Sequence, residues 1–435
     1  MGKEAQKINP QAEELNHAIK TANPHVFNLL SKRGREIYFP KEGILAQSAE
    51  AKSAKLNATI GIAVDDNGKP LCLNSIAEKV SLPPEDVFNY APSYGKSEMR
   101  QKWKEMLYAK NSLLKGKKIS VPVVCNALTH GLSMAAYLFA DEDDSIIVPD
   151  LFWENYELVF GNTYGARLDT FGFFRNGAFN LEGLRKKLCE KGKKKILLLN
   201  FPNNPAGYTP TEEEAYKITD IVKEAAENSE IVVIMDDAYL GLVYKEGVFK
   251  ESIFGIFADL HEKVIAVKID GISKEDYAWG LRVGFIAFGV KNGADSMYSA
   301  LESKAAGAVR ATISNAPNIS QSLALKAYGS NNYADEKKKN FELLKSRFEE
   351  VEKTLISSQK YKKHFEALPF NSGYFMCIKL KGNADKIRRL LIDKYSTGVI
   401  ANGGIIRVAF SSVKKEFIPK LFENIYNACN DASMP

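Results

Sequence analysis

Lys195-Ile-Leu-Leu-Leu-Asn200-Phe-Pro-Asn-Asn-Pro-Ala-Gly207 runs into an amphipathic segment, residues 211–227, and then into Ile231-Val-Val-Ile-Met-Asp236-Asp-Ala-Tyr239. The two apolar runs are strand length and end in turn-forming or polar residues. The segment between them places Ala215, Ile218, Ile221, Val222 and Ala225 at helical spacing. Strand, turn, helix, strand is a βαβ unit, and its two strands are expected to be parallel. Uninterrupted apolar runs, rather than alternating ones, imply a sheet covered on both faces.

Working outward, residues 120–124, 145–148, 264–268 and 283–289 repeat the pattern. The alternation over residues 85–320 predicts an α/β fold with a mostly parallel sheet between helices. Ligands of such sheets sit at the carboxyl ends of strands, and polar motifs begin where several of these runs stop. Beyond about residue 320 the texture changes. Residues 320–357 read as one long charged amphipathic helix. Residues 358–435 read as a small α+β unit with strands at Phe375–Leu380 and 405–410. Residues 1–70 read as irregular. The expected division is a large domain over 71–325 and a discontinuous small domain made of 1–70 and 326–435.

The bulk numbers restrict the partners. The chain has 435 residues, 45% hydrophobic and 26% charged, enough for a large core. Its net charge of +6 comes partly from runs such as Lys191-Gly-Lys-Lys-Lys195 and Lys337-Lys-Lys339, which lack interleaved aromatics. They read as solvated faces, not as a nucleic-acid surface. Five scattered cysteines without a CxxC pair suggest neither a disulfide framework nor a metal site. No apolar run is long enough to span a bilayer. Met1-Gly-Lys-Glu lacks an apolar signal region, and Gln6 leaves the myristoylation pattern incomplete. A cytoplasmic protein without a membrane partner is expected.

Four ordered motifs supply the parts needed to hold an aldehyde cofactor. Lys274, in Ser273-Lys274 after a strand and a glycine, offers an amine. A lysine amine condenses with an aldehyde to a Schiff base once burial or nearby cations lower its pKa. Read alone, it would be a surface lysine. Asp236 or its neighbour Asp237 can pair with a protonated ring nitrogen. Strand alternation sends the two side chains to opposite faces, so only one can do so. Tyr239, three residues after Asp236, and Asn204, in the Asn-Asn-Pro-Ala-Gly turn, can hydrogen-bond a phenolate. Arg282, in Gly280-Leu-Arg-Val-Gly284, offers a fixed cationic fork for phosphate. Thr129, in Asn126-Ala-Leu-Thr-His-Gly131, opens a helix whose N-terminus suits the same anion. Arg407, in Ile405-Ile-Arg-Val-Ala409, could hold a substrate carboxylate.

Together these motifs resemble the pyridoxal-phosphate (PLP) enzymes of fold type I, and specifically the class I aminotransferases. The resemblance covers about residues 60–410 and is nearest to the aspartate and aromatic amino-acid enzymes. Its most specific parts are Asn204-Pro-Ala-Gly, Asp236-x-Ala-Tyr239 and Lys274-x7-Arg282. Phe152-Trp-Glu-Asn-Tyr156, Tyr90-Ala-Pro-Ser-Tyr-Gly95 and Val309-Arg-Ala-Thr-Ile-Ser-Asn-Ala-Pro317 extend it. The resemblance implies a seven-stranded sheet and PLP held by Lys274. It implies that Asp236 pairs with the ring nitrogen, Tyr239 and Asn204 bond the phenolate, and Trp153 stacks on the ring. The phosphate would lie on Arg282, Thr129 and the Ala127–Leu128 backbone. Arg407 would grip the α-carboxylate, and Gly61 would lie at the substrate entrance. In the homodimer that the family implies, Tyr90 and Arg310 act across the interface.

The chain departs from the family pattern at two places. Gly271 stands where the family usually has Ser, so Ser273 is the substitute phosphate hydroxyl. Tyr156 stands where a His commonly supports the ring aspartate. The expected activity is ping-pong transfer of an amino group from an L-amino acid, aspartate, glutamate or an aromatic one, to a 2-oxo acid. The rivals are elimination or decarboxylation on the same scaffold and a non-catalytic PLP-binding regulator. The last would need an N-terminal helix-turn-helix, for which residues 1–70 are too short.

Overall fold

The computed structural model describes residues 8–38 and 43–433; the motif at Met1–Gln6 lies outside them. A seven-stranded sheet organises the larger part. Its strands are β1 (Val123–Cys125), β2 (Ser145–Pro149), β3 (Arg167–Phe171), β4 (Lys194–Asn200), β5 (Glu230–Asp236), β6 (Val264–Gly271) and β7 (Gly284–Val290). Their order is β1-β7-β6-β5-β4-β2-β3. β3, β2, β4, β5 and β6 are mutually parallel, and β7 runs antiparallel to both β6 and β1. Ile196–Leu199 and Ile231–Met235 are buried, as strands covered on both faces require.

A second sheet is wholly antiparallel, in the order β8 (Phe365–Ala367), β9 (Phe375–Leu380), β11 (Ile405–Ala409), β10 (Ile400–Asn402). The helices used below are α1 (Pro10–Ala22), α2 (Ile44–Glu50), α3 (Ser97–Lys110), α4 (Ala127–Phe139), α5 (Glu212–Ala226), α6 (Asp295–Ile313), α7 (Asn318–Tyr328) and α8 (Tyr333–Ser357). α5 starts on a capping box, in which Thr211 Oγ1 accepts the Glu214 N–H and Glu214 accepts the Thr211 N–H. No helix among the described residues is long and apolar enough to cross a membrane.

Two expectations from the sequence are corrected. Residues 1–70 are not simply irregular, because α1 and α2 lie within them. α1 is capped by Asn9, whose side chain accepts the Gln11 N–H, and buries only Ala12. Residues 320–357 are not one helix either. Gly329-Ser-Asn-Asn332 interrupts it, a run of residues that favour turns. The break lets both new ends face one acid. Tyr328 donates to Asp276 Oδ2 at 2.8 Å, and Tyr333 donates to Asp276 Oδ1 at 2.6 Å.

The two sheets are joined through the 203–209 loop. Backbone N–H groups of Asn371 and Ser372 donate to the Gly207 carbonyl at 2.8 and 3.0 Å. Asn371 exchanges side-chain hydrogen bonds with the Thr209 backbone, both at 2.8 Å. Gly207 has φ +69°, and a Cβ there would overlap the Phe375 carbonyl. Only glycine allows that approach.

β6 also carries a buried cation. Lys268 is fully buried between Asp237 and Asp270 and is ion-paired to both. Lys268→Met would strand two buried carboxylates. Denaturant titration of the apoprotein should show a loss of about 3–5 kcal/mol; an unchanged midpoint would contradict this account of the pair.

Candidate active site

The carboxyl ends of β4, β5 and β6 open into one cavity of about 610 Å³. β5 delivers Asp236 into its wall, 3% exposed. Asp237 points the other way, to Lys268 and to Ser252 Oγ at 2.5 Å. Strand alternation thus resolves the choice between the two acids geometrically. Asp236 accepts from Tyr156 Oη at 2.6 Å and from the Ala238 N–H at 3.2 Å. Tyr156 is therefore placed to support this acid, as its sequence position suggested.

Burial raises the Asp236 pKa, while the Tyr156 bond and the Lys274 charge oppose that rise. Burial also holds the Tyr156 hydroxyl well above its usual range, so it remains a donor.

Lys274 lies in the turn of helix at Ile272–Glu275 directly after β6. Its Nζ is 5.3 Å from the centre of the Tyr239 ring. Burial lowers its pKa; Asp236 opposes this and Arg282 adds to it. That direction favours a neutral, nucleophilic amine.

Gly271 begins this turn. A Cβ there would sit 2.5 Å from the Val283 carbonyl oxygen and 2.7 Å from Gly284 Cα. The missing family hydroxyl is thus a consequence of tight β6–β7 packing. Ser273 Oγ is buried without a partner in the cavity wall.

Ala127, Leu128 and Thr129 form the first turn of α4, where N–H groups lack intrahelical acceptors. Gly284 makes room for this turn, since a Cβ there would meet the Ala127 backbone at 2.5 Å. Arg282 has φ +55° and spends Nη1 on the Trp279 carbonyl at 2.9 Å. Trp153 and Gly61 also line the cavity, and Trp153 packs edge-on to Tyr156.

Arg407 reaches the cavity from β11 of the second sheet. Its Nη1 donates to Asn204 Oδ1 at 3.2 Å and Nη2 to the Thr59 carbonyl at 3.1 Å. Nε is buried without a partner. Asn204 is itself held by its N–H bond to Asn200 Oδ1 at 2.8 Å.

Two expected site residues are elsewhere on this chain. Tyr90 is 93% exposed, and Arg310 is exposed on α6; neither lines the cavity. Several lining residues escaped the sequence reading: Ile44, Ser48, Lys52, Trp279 and Phe375. Phe375 had a usable signal, because β9 pairs beside the Arg407 strand. The others sit in short turns or helices without a motif.

An amine, an acid, phenol and amide donors, and an anion corner therefore share one cavity. The family profile of aminotransferases class I and II matches residues 53–425. The chain belongs to this family. Among curated relatives, the aspartate aminotransferase of Bacillus subtilis is 26% identical over 65% of the chain and 68% of its own length. That of Bacillus sp. strain YM-2 is 24% identical over 83% and 86%. An aminotransferase structure from Anaerococcus prevotii superposes with TM-score 0.82 at 24% identity, covering 92% of this chain and 99% of that one.

PLP is the cofactor of this aminotransferase. The residues present fit it. Ser273 Oγ is an orphaned polar group in the wall, and the glycine cradle at Gly284 admits the α4 turn.

Tyr156→Phe removes a bond that favours ionised Asp236. The Asp236 pKa should rise further, so on acidification the activity that needs the carboxylate should be lost sooner, at a higher pH than in the wild type. The acidic limb of the kcat/KM profile should move upward, and an unmoved limb would detach Tyr156 from the acid.

Proposed function

We propose that this aminotransferase takes a dicarboxylic amino donor and 2-oxo acid pair, of the aspartate, glutamate and 2-oxoglutarate type. We further propose that it works as a cytoplasmic homodimer. The observation that carries the amino-acid reading is the buried Arg407, which lines the same cavity as Lys274 and has an unpartnered Nε. A buried guanidinium is a fixed fork for a carboxylate. Support for the second carboxylate comes from Arg310, an exposed cation available to another chain. The first two curated relatives noted above are named as aspartate aminotransferases.

Lys274, Asp236, Tyr239, Asn204, Ser273, Arg282 and the first turn of α4 would hold the cofactor. When bound, PLP supplies an electron sink for the charge left on the amino acid's α-carbon. Arg407 fixes the α-carboxylate and thereby the direction of the Cα–H bond. Lys274, its pKa lowered by burial, takes the Cα proton on Nζ and carries it. Tyr156 donates to Asp236 and so favours its charged form against the effect of burial. Ile60, Ile62, Trp153 and Phe375 give the cavity apolar wall. The same walls favour a second reading, an aromatic donor, for which Arg310 would have to withdraw.

The test is the visible spectrum of the purified protein with L-aspartate, then 2-oxoglutarate. The cofactor band should bleach to the amine form and return. No response to aspartate, with a response to phenylalanine or tyrosine, would select the aromatic reading. Release of pyruvate and ammonia without an acceptor would indicate elimination.

The shared site has its own test. Lys274→Ala and Arg310→Ala chains should each be weak on aspartate. Arg310→Ala should lose about 2–5 kcal/mol in transition-state binding, the scale of one truncated charge pair. Mixed dimers should regain activity, because one site then has both residues. No recovery on mixing would place Arg310 outside the partner's site.

A further inference from the structure

Glu154 follows Trp153 in the loop after β2, and its carboxylate joins segments far apart in sequence. It accepts the Ile44 N–H at 3.4 Å on Oε2, where α2 begins. It accepts from Asn402 Nδ2 at 3.2 Å on Oε1, where β10 ends. Gly43 is shaped for this approach. Its backbone is at φ +84°, and a Cβ there would stand 2.7 Å from Oε2. Gly403 and Gly404, both at positive φ, turn the chain just after Asn402.

α2 and β10 are already one unit. Gln47 Nε2 donates to the Ala401 carbonyl at 2.8 Å, and the Ala401 N–H donates to Gln47 Oε1 at 2.6 Å. This unit carries cavity wall. Ile44 and Ser48 lie on one face of α2, with Lys52 a turn further on. β10 pairs with β11 in a register that sets Ile400 opposite Arg407. A further hydrogen bond from this region to the large-sheet side runs from Arg407 to Asn204. A substrate carboxylate on Arg407 would compete for it, whereas the Glu154 contacts do not involve Arg407 hydrogen bonds.

We propose that Glu154 is a positioning residue, a clasp that holds the α2–β10 unit against the Trp153 loop and closes the cavity over the amino donor. The inference rests on the substrate reading above only for what is enclosed. Glu154 does not line the cavity that holds Lys274, although its charge reaches Arg407.

The test compares Glu154→Ala and Glu154→Gln in the holoenzyme. Glu154→Ala should raise KM for the amino donor about tenfold, the scale of a lost charge-assisted hydrogen bond, with kcat within twofold and an unchanged cofactor band. Glu154→Gln keeps an acceptor oxygen for Ile44 and should recover part of the KM. Trypsin cleavage after the exposed Lys52 should be at least fivefold faster in Glu154→Ala, because α2 is released. Unchanged KM and cleavage rate would overturn the clasp, as would a fall in kcat at constant KM. If the wild type ignores every amino donor, the substrate reading falls, and the cleavage rates still decide the clasp.

Discussion

Asp236 is buried and Lys274 half-buried at the carboxyl edge of a parallel sheet, and each makes the other's position tenable. Burial alone would neutralise both, pushing the lysine pKa down and the aspartate pKa up. Their mutual attraction opposes both shifts, and Arg282 and Tyr156 set the remainder. An acid and an amine in this relation need rigid supports, because a small retreat by either leaves a buried charge uncompensated. The fold supplies them from three strands. β5 ends on the acid, β6 leads into the lysine, and β4 ends on Asn200, which bonds the Asp236 carbonyl at 2.8 Å.

The two residues after the lysine extend this support away from the cavity. Glu275 accepts from Lys110 of α3 at 2.7 Å and from Lys337 of α8 at 3.0 Å. These cations hold its pKa down to about 2 against the effect of burial. Asp276 binds Tyr328, Tyr333 and Lys337. The acidic Lys274-Glu-Asp sequence therefore does not place extra negative charge in the cavity. It anchors the lysine turn to the helices that lead toward the second sheet. Together with the Gly207 contact, this couples the carboxyl edge of the large sheet to the strand bearing Arg407.

Legibility in the sequence followed the range of the interactions. Apolar runs such as Ile196–Leu199 announce strands because burial on both faces requires them. Asp236, Lys274 and Arg282 were readable because their places at strand ends are local. Tyr156 was readable only through the family resemblance, which puts a His at that place. Gly271 could be seen as a departure but not understood, because the carbonyl that excludes a side chain belongs to Val283, just before the neighbouring strand. The break at Gly329–Asn332 was missed because only four residues separate two helical stretches. Glu154 was silent for a different reason. Its partners, Ile44 and Asn402, lie 110 residues before and 248 residues after it.

Selectivity follows from how the charges are divided. Arg407 is pinned by Asn204, by the Thr59 carbonyl and by stacking 4.3 Å over Phe375. A guanidinium so held is well placed to recognise the carboxylate that every amino acid carries. It has little freedom to discriminate among side chains. The rest of the wall on this chain is largely apolar, and Lys52 is an exposed cation beside it. A dicarboxylate then needs a second cation, Lys52 or one from another chain, and an aromatic donor does not. On the proposed reading, one chain supplies the chemistry common to all donors. Discrimination between donors falls to Arg310 of a second chain and to how tightly α2 is held over the cavity.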